Sequence, residues 1–166
     1  MPEIARAVRE RAGAPSAEWS VIGHSAGGQF VVRMAAFLAT DAVRLVAVNP
    51  GSLLFPTREL PFGYGFGGLP AALASDERLR AYLAAPLVLY VGTADDRRDE
   101  FLDTSSAAMQ QGEGRHQRSV AAFRAARALA NERGWPFHWQ LIEVEGAGHD
   151  SHTMFEHDNC RLAVLD

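Results

Sequence analysis

Residues 19–28 read WSVIGHSAGG, and the fold is decided there. Residues 19–22 form a compact β-type run that ends at Gly23. Gly23-His24-Ser25-Ala26-Gly27 is a G-x-S-x-G pattern. From Gly28 to Leu38, the residues Phe30, Val31, Met34, Phe37 and Leu38 recur at helical spacing. A strand entering a turn that opens a helix is the context in which this pattern carries chemistry. Such a turn strains the backbone at Ser25 and lifts its hydroxyl above the sheet. Gly at 23 and 27 removes side chains that would collide with the crossing backbone. The helix then aims its N-terminus at the same spot, so the Ala26 N–H is the expected oxyanion donor. The bland alternative is a Gly-rich turn in which Ser25 only caps the helix.

Outward from that stretch, short apolar runs alternate with Ala/Arg-rich helical segments. Residues 43–48 and 87–91 are nearly continuous apolar runs, as strands buried on both faces are. Asn49-Pro50-Gly51 breaks the first run, and Gly92 closes the second. Residues 137–144 differ, since Phe137, Trp139 and Leu141 alternate with His138 and Gln140. That pattern suits a sheet edge with one wetter face. Ile4, Ala5 and Val8 share a face of a short first helix. Val120, Phe123, Arg127 and Ala130 mark a later helix over 118–132, with Gly134 as its expected C-terminal cap. Ser75 is the expected N-cap of a helix running to Leu83. This alternation predicts an α/β fold, a mostly parallel sheet of about four strands with helices on both faces.

A serine hydroxyl needs a base, and the base needs a third group to hold it. Asp95 is the first acid past the strand that ends at Gly92, with Asp96 as its rival. His149 stands in Glu145-Gly146-Ala147-Gly148-His149-Asp150, a Gly-rich loop after the last strand. The order Ser25, Asp95, His149 is that of strand-top serine hydrolases. Asp150 is expected to cap the helix that follows. Residues 49–72 carry Leu53, Phe55, Phe62, Tyr64 and Phe66 among repeated Gly and Pro. They read either as an apolar loop on the core or as a pocket wall, with Phe55, Phe62 and Tyr64 as substrate contacts. Residues 93–115 read as a long polar loop.

GHSAGG, VGTAD and EGAGHD, in that order, resemble the C-terminal part of the α/β-hydrolase fold superfamily. The turn at Asn49-Pro50-Gly51-Ser52 and the run from Gly112 to Phe123 are further similar to bacterial short-chain esterases and polyhydroxyalkanoate depolymerases. The resemblance implies an acyl-enzyme mechanism on an ester or related small acyl substrate, without a cofactor. It covers nearly the whole chain as one partial domain, residues 1–166. Two departures from the family pattern stand out. No strands precede the run at 19–22, which would leave it an open flank for pairing with a second copy. No HGGG-like stretch supplies a second oxyanion donor. A fragment, a mis-started reading frame or a truncated relative fits this pattern. The alternative function is accordingly an impaired remnant that acts as an association module.

Composition sets outer bounds. The chain has 166 residues, 48% hydrophobic and 22% charged, enough for one domain with a real core. The net charge of −4 lacks the basic stripe of a nucleic-acid binder. Cys160 is the only cysteine, so no intrachain disulfide forms. The N-terminal residues lack the apolar core of a signal peptide, and no stretch is long enough to span a bilayer. A cytoplasmic location is the expectation. His149, Asp150, His152, His157, Asp158 and Cys160 are dense in donors, but their spacing matches no standard zinc pattern, and no metal is expected.

Overall fold

The computed structural model describes residues 1–165. Four parallel strands form one sheet in the order β1 (Ser20–His24), β2 (Arg44–Val48), β3 (Leu87–Gly92) and β4 (Gln140–Val144). Between them run α2 (Ala26–Phe37), α3 (Asp76–Leu83), a short α4 (Ser106–Met109) and α5 (Arg115–Arg133). Before them lies α1 (Pro2–Arg11); after them come α6 (Ser151–Glu156) and α7 (Asp158–Leu165).

Strands in sequence order, joined by crossovers of one hand, put the intervening helices on one face. That face holds the larger apolar cluster, in which Val31 and Met34 of α2, Leu79 and Leu83 of α3, and Ala122 and Ala126 of α5 meet Leu45, Leu87 and Leu89. The other face carries Val46, Val48, Val88, Tyr90 and Val144 under Met154 of α6 and Ala163 of α7. The two central strands are buried on both faces, and β1 and β4 form the edges. Among the described residues, β1 pairs with β2 alone, so its outer side has no strand neighbour.

Several expectations shift in detail. The last strand begins at Gln140, not at residue 137. The His138 N–H bonds Leu83 O at the end of α3 instead of joining β3, and Trp139 sends its indole N–H to Tyr82 O. The buried stripe of α5 is Arg115, Arg118, Ser119, Ala122, Ala126 and Ala130. Val120 and Phe123 are only partly buried, and Arg127 is exposed with its guanidinium over the Phe123 ring. Small side chains let α5 lie close to the sheet, so the stripe is alanine rather than large apolar residues. The predicted polar loop at 93–115 contains the one-turn helix α4, capped by Ser105. The predicted face of α1 is largely uncovered, since Ile4 and Val8 are each 60% exposed and only Ala5 is half-buried. Gly134 caps α5 in the left-handed region (φ 63°), and Ser75 caps α3 by accepting from the Arg78 N–H. No helix among the described residues is long and apolar enough to cross a membrane.

Parallel strands end on one rim. Here the ladder continues past the strands themselves. Ser25 N–H donates to Val48 O, Asn49 N–H to Tyr90 O, and Thr93 N–H to Val144 O. The turn after each of the first three strands is therefore tied to the strand beside it.

Candidate active site

Ser25 sits at the turn from β1 into α2 with φ 56° and ψ −115°, and its side chain makes no cap bond to the helix. A non-glycine residue there stores strain, so the capping alternative leaves the strain unexplained. Two glycines make the turn fit. A Cβ on Gly23 would stand 2.5 Å from Gly27 O, and one on Gly28 would stand 2.8 Å from Val48 O. Gly27, expected to be the second tight point, has open space where its side chain would go. The close approach falls one residue later because α2 crosses β2 at Gly28.

His149 Nε2 lies 2.9 Å from Ser25 Oγ, and His149 Nδ1 lies 2.7 Å from Asp95 Oδ2. Asp95 is 1% exposed. The neighbouring acid faces elsewhere: Asp96 Oδ1 accepts from the Gln117 N–H, and its other oxygen is 3.9 Å from His116 Nδ1. Asp96 thus meets the free N–H groups at the start of α5, where a helix favours an anion. Gly114 makes this approach close, since a Cβ there would run into Asp96. Asp150 caps α6 through the Thr153 N–H, as its position predicts.

Asn49 ties the rim together and went unrecognised in the sequence except as part of a breaker. It is 1% exposed, with φ 44°. Its Nδ2 donates to Gly148 O, beside His149, and its Oδ1 accepts from the Gly92 N–H. The Ala94 N–H also donates to Ala147 O. The acid-bearing turn and the histidine loop are therefore bonded to each other and to β2.

Behind Asp95 stands Arg115, which sequence reading also missed. Its Nη1 is 3.5 Å from Asp95 Oδ1, and its fork donates to both oxygens of Asp99 at 2.8 Å each. Burial pulls the Arg115 guanidinium down, but the bond to Asp99 and the charge of Asp95 more than offset that and raise it. The bond to Arg115 in turn lowers Asp99 to about 2. On the Ser25 side, the His24 ring is centred 4.7 Å from that of His149. Burial, then the neighbouring His149, hold His24 below its usual value of 6.5.

The Ala26 N–H opens α2, where the helix itself offers no acceptor. An open cavity beside His149 is lined by Ala94, Asp95, Arg97, Arg98, Asp99 and Asp150, among others. The aromatic residues expected at a substrate wall are absent from that lining. Phe55 packs on the main core and Phe62 lies edge-on to Phe37, at the far end of α2. The Tyr64 hydroxyl bonds Asp103 and Ser105. Their loop is pulled inward by Gln111, which bonds Leu53 O and Tyr64 O, and by Arg33, which bonds Gly63 O. No signal in residues 49–72 distinguishes a loop drawn into the core from one that borders a site.

No family model matches the chain, and no curated protein is similar to it. Solved structures are. Poly(aspartic acid) hydrolase-1 from Sphingomonas sp. KT-1 superposes with a TM-score of 0.86 at 28% identity, over 98% of this chain and 61% of that one. A poly(3-hydroxybutyrate) depolymerase from Bordetella parapertussis superposes with a TM-score of 0.77 at 34% identity, over 92% of this chain and 53% of that one. The chain thus spans little more than half the length of these neighbours. One is a hydrolase and the other a depolymerase by name, and the sheet and helices they share with this chain are those of the α/β-hydrolase fold. The chain belongs to that superfamily.

Proposed function

We propose that the chain is a serine hydrolase that acts on an ester or related acyl substrate through an acyl-enzyme. The observation that carries this reading is the unbroken relay from Ser25 Oγ through His149 to Asp95, with contacts of 2.9 and 2.7 Å. Those are proton-transfer distances before any substrate is bound. The hydrolase neighbours support the general class.

Ser25 Oγ attacks the acyl carbon as His149 Nε2 takes its proton. Asp95 Oδ2 accepts from His149 Nδ1–H, fixing the tautomer and steadying the imidazolium that forms. The Ala26 N–H donates to the oxyanion of the tetrahedral intermediate. As that intermediate collapses, His149 returns the proton to the leaving oxygen or nitrogen, and the acyl group stays on Ser25. Water, deprotonated by the same imidazole, then releases the acid. Where Ala26 is the only oxyanion donor, the rate falls about 10²–10³-fold below a site with two.

Hydrolysis of p-nitrophenyl butyrate is the test. The native chain should release p-nitrophenolate, and S25A and H149A should each lose at least about 10³-fold. Equal rates in the native chain and S25A would refute the reading.

A further inference from the structure

Asp95 spends only one oxygen on His149. Its other oxygen, Oδ1, is buried and accepts no hydrogen bond. A buried carboxylate oxygen in that state is costly unless a charge faces it. The charge that faces it is Arg115, 2% exposed and 3.5 Å away. The hydrogen bonds of that guanidinium go instead to Asp99, whose side chain is 37% exposed. Charges therefore run inward in alternation: Asp99 negative, Arg115 positive, Asp95 negative, then the imidazole.

We propose that Arg115 is a positioning residue that sets the pH at which the Ser25–His149 pair becomes active, by offsetting part of the Asp95 charge that the imidazolium feels. This rests on the acyl-enzyme reading above. His149 must be unprotonated to accept from Ser25. Asp95 favours the proton on His149, and Arg115 opposes it. Without Arg115, two effects act in the same direction. The full Asp95 charge holds the imidazolium, and a buried carboxylate without a counter-charge itself takes up a proton more readily. Without the Asp99 charge the sign reverses, because an uncompensated Arg115 acts more strongly on Asp95 and His149.

Opposite signs are the signature of this arrangement, since loosened packing at either residue lowers rates without moving the two pH profiles apart. Other charged groups face the pair from several elements. His24 approaches from the end of β1, and Asp150 lies on the histidine loop. Arg97 and Arg98 line the same cavity from the loop after β3, and Arg118 faces Arg115 from one turn along α5. All of them are unchanged in the variants below, so their fields are common to every profile.

The test compares the native chain with R115Q, R115K and D99N. Two quantities are followed against pH: the rate at which a fluorophosphonate labels Ser25, and the titration of the His149 ring by NMR. The acidic limb should move up by about one pH unit in R115Q. It should move down by roughly a few tenths of a unit in D99N. R115K keeps the charge but loses the fork, so its limb should stay with the native one while its rate drops. Limbs that coincide in R115Q, D99N and the native chain, or that move in the same direction in both variants, would overturn the proposal. If R115Q does not fold, D99N decides: a limb that moves down from the one shared by the native chain and R115K supports the proposal, and one that coincides with it or moves up overturns it. If Ser25 is not labelled in the native chain, the acyl-enzyme reading fails, and the ring titration still decides the role of Arg115.

Discussion

On one side of His149 the chain meets Ser25 through glycines and a strained turn; on the other it meets Asp95 through a row of buried charges. The Ser25 side is local. Gly23, Ser25 and Gly28 lie within six residues of one another, and shape holds them, with Gly23 packed on Gly27 O and Gly28 on Val48 O. The acid side is assembled from afar. Asp95 comes from the end of β3, Arg115 from the start of α5, and Asp99 from the loop between them. Backbone fit shapes one side, and facing opposite charges organise the other. The two sides should therefore fail in different ways.

The largest effect is expected on the acid side. R115A leaves Asp95 and Asp99 without their shared counter-charge and should cost about 3–5 kcal/mol, read by urea unfolding. Adding D95N to R115A should recover part of that loss, because the buried charge is then gone. A double variant as unstable as the sum of the two singles would show that charge is not what organises this side. On the Ser25 side, G23A should cost about 1–3 kcal/mol from overpacking. G27A, with open space at its Cβ and a helical position, should change stability by less than about 1 kcal/mol. Equal losses in G23A and G27A would break the backbone half of the comparison. N49A removes the bonds to Gly92 and Gly148 that link the sides and should cost about 1–3 kcal/mol.

The smallest effect is the pH dependence of stability. His24 is held below its usual 6.5 in the folded chain, so the unfolded chain binds its proton first. Its contribution is complete above 6.5 and is lost as pH falls through the lowered folded value. Asp99, lowered from 3.8 to about 2, contributes fully above 3.8 and loses that contribution as pH falls through about 2. Thermal melts should therefore show a first decline below about 6.5 that H24Q removes. They should show a second below 3.8 that D99N lessens without removing, because Asp41, Asp76, Asp103 and Asp150 are also held below their usual value. A first decline that persists unchanged in H24Q would assign it to another group.

The same contrast explains what the sequence makes legible. The elbow, the strand order and the residues that end each strand are written in short stretches. Ser25, Asp95 and His149, which the structure brings within hydrogen-bond distance of one another, are legible as candidates because each follows a strand end. Arg115 is not. It opens a helix whose buried stripe is arginine, serine and alanine, and that stripe has no apolar signature. Only the crossing of α5 over the acid turn makes it internal. Phe55, Phe62 and Tyr64 are hard to place from sequence for the converse reason, because aromatic residues in a Gly- and Pro-rich loop look the same whether tertiary bonds draw them toward the core or leave them at a rim. The alternation of β4 runs back through residues 137–139, but the hydrogen bonds of that extension go to α3, so its end is not legible from the pattern.

The most direct measurement is the site of covalent modification. After incubation with a fluorophosphonate, peptide mass spectrometry should find a single adduct, on Ser25, and none in S25A or H149A. An adduct on another residue, or one that persists in S25A, would contradict the account.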